Sequence, residues 1–86
     1  MIVSFYGEIT RYTNGEKSYT PKAHSTLRGL LEELGDAYGT QFTSFVNGND
    51  SCIILINGKG IMLSGGLDSA LNIGDNIKIL PFVDAG

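Results

Sequence analysis

One stretch limits the fold more than any other. Leu27, Leu30, Leu31, Leu34 and Tyr38 recur at i, i+3, i+4, i+7 and i+11, which places five apolar side chains on a single helical face. Ser25 is the expected N-cap, its hydroxyl taking one of the first free backbone N–H groups, and Gly39 supplies the C-terminal stop. Glu32, Glu33 and Asp36 fall on the opposite side as a solvated face. Adjacent helix positions point apart, so Glu32 and Glu33 do not read as paired catalytic carboxylates. Gly29 and Gly35 lower helix propensity, so this segment needs a surface to pack on. A lone amphipathic helix in a chain otherwise rich in strand-like runs has to lie across one face of a sheet.

The strands are read on either side of it. Ile2 to Tyr6 is a short apolar, β-rich run, and Asn14-Gly15 supplies the positive φ angles of a hairpin turn. Lys17 to Thr20 is the returning strand, stopped by Pro21, so Ile2 to Thr20 is expected to be a β-hairpin. Ile53 to Ile56 is continuously apolar, the pattern of a strand covered on both faces. Asn57-Gly58 then turns the chain into a short strand, Ile61 to Leu63. The run "SGGLDSALNIGDN" reads as loop, with one helical turn at Asp68 to Leu71, and Asn76 to Leu80 forms the last strand. The predicted order is ββαβ(β)β, a two-layer α+β fold with the first and last strands central.

Eighty-six residues hold one domain. The 42% apolar and 17% charged content is that of a folded globule. The net charge is −3 and the basic residues are scattered, which argues against nucleic acid, whose binding needs a concentrated basic surface. No apolar run approaches the roughly 20 residues of a membrane span, and "MIVSFYGE" lacks the charged head of a signal peptide. With Cys52 as the only cysteine, no internal disulfide can form. The expectation is a cytoplasmic protein with no membrane partner.

Convergent polar groups are scarce. His24 has no companion at metal-ligand or triad spacing and reads as a solvated loop residue. Cys52 opens an apolar strand and reads as a small buried hydrophobe. Gly58 to Gly60 and Ser64 to Gly66 are turns and not phosphate cradles, because neither leads into a strong helix N-terminus. No catalytic residue and no metal site is assigned.

The second face of the sheet poses a question. Ile77 and Ile79 oppose Lys78 and Leu80 across the last strand, and Ile53 and Leu55 oppose Ile54 and Ile56. One helix covers one face. The other apolar set is either left near water, as protein–protein surfaces are, or covered by the segment around Phe42 and Phe45.

The string "IILINGKGIMLSGGLDSALNIGDNIKILPFVDAG" resembles the MoaD/ThiS family of ubiquitin-like sulfur carriers, together with the related archaeal ubiquitin-like modifiers. The matching features are the apolar strand closing on Asn57-Gly58, then "GGLDSAL", then Gly74-Asp75, then a strand running into Pro81 and a short tail ending in Gly86. The opening hairpin and "HSTLRGLLEELG" fit the first half, so the resemblance covers the whole chain. It implies a ubiquitin-like β-grasp fold: a mixed sheet of four to five strands with one main helix packed across one face. Residues 1–81 are the expected domain and 82–86 a flexible C-terminal tail.

The resemblance also implies a function. The Gly86 carboxylate would be adenylated with ATP by a separate activating enzyme and converted to a thiocarboxylate. The carrier itself would bind no cofactor. Its sulfur would go to the large subunit of molybdopterin synthase, to a thiazole synthase or to another acceptor. The alternatives are a protein modifier joined to lysines through Gly86, and a non-covalent β-grasp interaction module. The tail that enters the partner is Pro81, Phe82, Val83, Asp84 and Ala85, leading to Gly86. Phe82 to Gly86 would reach roughly 16–18 Å if extended. Glycine at the tip has no Cβ to block close approach, and Pro81 ends sheet pairing. One feature departs from the family's usual Gly-Gly ending. Ala85 adds a methyl and disfavours positive φ, while Asp84 brings a negative charge near the place an adenylate would occupy.

Overall fold

A computed structural model describes residues 1–47, 52–61 and 66–81. The elements run β1 (Ile2–Phe5), a 3₁₀ segment (Gly7–Tyr12), β2 (Ser18–Tyr19), α1 (Leu27–Tyr38), α2 (Thr40–Asn47), β3 (Cys52–Ile56), β4 (Lys59–Gly60), a 3₁₀ turn (Gly66–Asp68) and β5 (Asn76–Pro81). The strands form one sheet in the order β2-β1-β5-β3-β4. β5 runs parallel to β1, from Ile2 opposite Asn76 to Phe5 opposite Ile79. It runs antiparallel to β3, from Cys52 opposite Pro81 to Ile56 opposite Ile77. The last strand is therefore the middle of the sheet with the first beside it, as the sequence predicts, and the architecture is the expected α+β β-grasp.

The core forms where α1 meets the alternate strand residues. Leu27, Leu30 and Leu34 from α1 are fully buried against Val3, Phe5, Ile54, Ile56, Ile77 and Ile79. Period 3.6 on the helix and period 2 on the strands bring both apolar sets to one layer. The glycines of α1 make close approach possible. A Cβ on Gly35 would lie 2.6 Å from the Thr43 hydroxyl oxygen of α2, so Gly35 lets the two helices meet.

The opening hairpin is the first correction. β1 and β2 do pair antiparallel, Val3 opposite Tyr19 and Ser4 opposite Ser18, but no two-residue turn joins them. The chain leaves the sheet after Phe5 and winds through the 3₁₀ segment, because Ile9 and Thr13 are drawn into full burial. Asn14 (φ 56°) and Gly15 (φ 80°) then make the expected positive-φ turn back toward β2.

Three smaller corrections follow. The N-cap of α1 is Thr26, whose hydroxyl accepts from the Gly29 N–H; the Ser25 carbonyl instead accepts from Leu71 N–H at 3.0 Å. The strand after the Asn57-Gly58 turn is Lys59–Gly60, and Met62 and Leu63 lie outside the described residues. The helical turn expected at Asp68 to Leu71 sits earlier, at Gly66–Asp68.

The larger difference is α2. Phe42 and Phe45, three apart, define a short second helix that the strand-like neighbours Thr43 and Val46 conceal. It stacks on the same side of the sheet as α1. Phe42 is buried in an aromatic cluster with Phe5 and Tyr38, at ring-centroid distances of 5.9 and 5.5 Å. Phe45 stacks on Tyr12 at 5.0 Å. The Phe42 segment thus adds to the covered layer and leaves the other sheet face open.

Candidate functional site at the end of the central strand

The expected site begins where β5 ends. Pro81 is its only member among the described residues; Phe82, Val83, Asp84, Ala85 and Gly86 lie outside them. Pro81 is half-buried and pairs with Cys52 of β3. On its other side the Tyr6 N–H donates to the Ile79 carbonyl at 3.1 Å, closing the ladder to β1. Gly7 shapes this end. Its φ is +64°, and a Cβ there would meet the Pro81 ring at 2.8 Å. The chain therefore turns away from β1 at a residue able to adopt the left-handed region and to admit the proline. Nothing in the sequence singles out Gly7 for this contact, since the pairing joins residues 74 positions apart.

Cys52 stands beside the same exit. Its thiol donates to the Val46 carbonyl at 3.5 Å, and burial pushes its pKa up. A thiol held protonated is a poor nucleophile, which agrees with its reading as a small hydrophobe.

The open sheet face runs up to this exit. Ser4, Lys78 and Leu55 are side by side across β1, β5 and β3, and Ile53 pairs with Leu80 one step nearer Pro81. Ile53 is 39% exposed and Ile2 40%, whereas Ile54 and Ile77 on the covered side are 5% and 0%. The continuous apolar run of β3 is therefore covered on one face and not on both, as its sequence suggested. Tyr6, 41% exposed, follows β1 at the same end.

The residues that carry the family resemblance at the opposite end of β5 hold the chain together. Asp75 is buried and accepts from the Asn57 side-chain amide at 2.9 Å and the Asn72 N–H at 2.8 Å. Asn57 in turn accepts from the Asn76 N–H at 2.9 Å. The Asn72 backbone bond and the Asn57 amide hold the Asp75 carboxyl below the usual carboxylate range. Asn57 adopts φ 52° and Gly58 φ 85°, so this pair serves the turn, and "NG" and "GD" form one polar clasp.

Two side chains that read as solvated are tied together. The His24 Nε2 sits 2.6 Å from Glu33 Oε1. The Tyr19 hydroxyl donates to Glu33 Oε2 at 2.7 Å, and the Lys22 N–H also donates to this carboxylate. Burial alone would raise the Glu33 pKa, but the bonds from His24, Tyr19 and Lys22 outweigh it and lower the value. Hydrogen bonding to Glu33, then burial, raises that of Tyr19. Tyr38, whose hydroxyl donates to Glu16, is pushed up to about 12, chiefly by burial. The network pins the β2–α1 connection to the helix. No group of three or more His, Cys, Asp or Glu able to hold a metal gathers among the described residues, and no helix among them is long and apolar enough to cross a membrane.

This geometry describes a β-grasp body whose middle strand is followed in the sequence by residues 82–86. The model of the ThiS family matches residues 3–86, and the chain belongs to that family of ubiquitin-fold sulfur carriers and modifiers. A search of curated proteins returned no match. Among solved structures, the Amycolatopsis orientalis BexX/CysO complex contains a similar chain, with TM-score 0.82 and 25% identity over 99% of this chain and 98% of that one. The small archaeal modifier protein 1 of Methanosarcina acetivorans is 27% identical, with TM-score 0.77, over 99% and 94%. A chain in the Helicobacter pylori complex of molybdopterin-converting factor subunits 1 and 2 is 27% identical, with TM-score 0.66, over 99% and 96%.

Proposed function

We propose that this chain is a cytoplasmic sulfur carrier whose reactive atom is the Gly86 carboxylate, serving molybdopterin synthesis. The family match running through residue 86 carries the reading. A second support is the seating of Pro81 at the end of the central strand, from which the sequence continues into the five-residue tail.

The chemistry needs a partner. A terminal carboxylate has a pKa of about 3.5 and is ionised at neutral pH, so it is a poor acyl donor. An activating enzyme directs a Gly86 carboxylate oxygen onto the α-phosphorus of ATP, and pyrophosphate departs. Hydrosulfide then attacks the acyl carbon, its C–S bond forms as the C–O bond to AMP breaks, and a thiocarboxylate is left. Pro81 to Ala85 thread the tail, and the large subunit of molybdopterin synthase takes the sulfur. The chain supplies the acyl group and the fold that presents it; catalysis belongs to the partners. The Helicobacter pylori similarity favours the molybdopterin branch. The similarity to an archaeal modifier supports a second reading, transfer of the Gly86 acyl group to a lysine amine.

The test is intact mass after incubation with the activating enzyme of the same organism, ATP and a sulfur donor. A gain equal to sulfur replacing one oxygen, abolished in Gly86→Ala without a change in melting temperature, supports the carrier. Adducts on other proteins support the modifier. An unchanged mass, with partner binding unaffected by deletion of Ala85 and Gly86, leaves only a non-covalent module.

A further inference from the structure

The central strand ends on a residue that cannot hold its place by donating a ladder bond. Pro81 stands opposite Cys52 in the register of β5 with β3, but proline has no N–H to give to either neighbouring strand. What meets it from the β1 side is Gly7, at φ +64°. A Cβ there would lie 2.8 Å from Cγ and 3.2 Å from Cδ of the proline ring. Ordinary van der Waals contact starts at 3.4 Å. The ring therefore occupies the space that any other L-residue at position 7 would need.

The two sides of this contact are unequally held. Gly7 opens the 3₁₀ segment, and its carbonyl accepts from the Thr10 hydroxyl at 2.9 Å. Just before it, the Phe5 N–H donates to the Lys17 carbonyl at 2.9 Å and the Tyr6 N–H to the Ile79 carbonyl at 3.1 Å. Further along, Ile9 and Thr13 are fully buried, and the Thr13 hydroxyl donates to the Glu16 carbonyl at 2.7 Å. Gly7 is thus fastened to the body on both sides. Pro81 is half-buried and is the last residue of its strand. If the two are forced apart, the proline is the one that moves.

We infer that Gly7 is a positioning residue for the reaction of Gly86, a role that rests on the carrier reading. By admitting the Pro81 ring it sets the point and direction from which the chain continues into residues 82–86. It acts through Pro81 and not on the reacting atoms. The leverage is geometric: a tilt of about 5° at the base moves the far end of a five-residue extended segment, roughly 16–18 Å long, by about 1.5 Å. Misplacing a reacting group by about 1 Å can cost about 100-fold in rate. One methyl group at position 7 is thereby felt at the terminal carboxylate.

The experiment uses the full chain and the adenylating enzyme of the same organism. ATP–pyrophosphate exchange is measured against carrier concentration for wild type, G7A, G7N, P81A and G7N/P81A, each below its melting transition. G7N separates backbone strain from the contact. Asparagine tolerates positive φ, as Asn14 and Asn57 do in this chain, yet it carries the Cβ. The expected result is a fall in kcat of about tenfold or more for both G7A and G7N, with G7N the less destabilised. P81A removes Cγ and Cδ, the ring atoms that the Cβ would meet. In that background the further effect of G7N should shrink to about twofold or less, the signature of two coupled positions. A purely structural role would lower the melting temperature and leave kcat of the folded carrier unchanged. Should G7A fail to fold, G7N and its double variant carry the test. Wild-type kcat in G7N, or an equal loss from G7N with and without the proline ring, overturns the positioning role and leaves the carrier reading intact. Absence of exchange with wild type sinks the carrier reading and the role of Gly7 with it.

Discussion

The two faces of the sheet are built from the same strands and serve opposite ends. Toward the helices, Val3, Ile77 and Ile79 are entirely out of water; toward the other side, their neighbours Ile2, Lys78 and Ile53 meet it. Chain direction and hydrogen bonding are common to both sets, so the difference lies in what lies opposite. α1 and α2 both sit on one side, and strand alternation sends every second residue into the core and the rest to the uncovered face. In β5 the two placements alternate residue by residue.

That separation can be broken or sharpened by substitution. Leu30→Ala, on the covered side, should cost about 2–5 kcal/mol in chemical denaturation, because a fully buried side chain leaves a cavity. A loss below 1 kcal/mol, on the same scale, would mean that the helix does not carry the core. Gly7→Ala should follow at about 1–2 kcal/mol, since it forces an L-residue into the left-handed region and against Pro81. An unchanged melting temperature there would mean that the close contact between Gly7 and Pro81 does not hold this end of the sheet.

Acid titration separates the clasp at the other end of β5. The Asp75 carboxyl is depressed in the folded state, so its contribution is fully present above the unfolded value of about 3.9. It is lost as pH falls from that value through the lower folded one. Melting temperature followed downward from pH 5, a point above both values, should therefore fall more steeply for wild type than for Asp75→Asn; parallel curves would remove Asp75 from the acid response. Smallest of all, Ile53→Ser on the open face should change stability by no more than about 0.5 kcal/mol. A large stability loss would make that face structural.

How far the sequence discloses all this depends on the range of each interaction. α1 was legible because its five apolar residues repeat within one segment, and β3 and β5 because their apolar runs are local. α2 was hidden: eight residues with two spaced aromatics give little periodicity, and Phe42 becomes helical by packing on Phe5 and Tyr38. Glu33 reads as solvated by helix phase alone, and only the fold brings Tyr19, Lys22 and His24 around it. At the candidate site, Pro81 was readable as the end of a strand through the family pattern. Gly7 was not, because its constraint comes from a residue at the far end of the chain. Lys78 was visible in sequence as a strand residue facing away from Ile77, but its place between Ser4 and Leu55 needed the register of three strands.

The placement of β5 between β1 and β3 has a consequence for biosynthesis. The strand that joins the two halves of the sheet is translated after both of them, so each half waits with an unpaired edge until it arrives. Release of a prematurely terminated product would leave β1 and β3 with nothing between them, and proteases act on such open chains. Folding thereby becomes a check on completeness: a molecule compact enough to survive has already synthesised the strand that leads into residues 82–86.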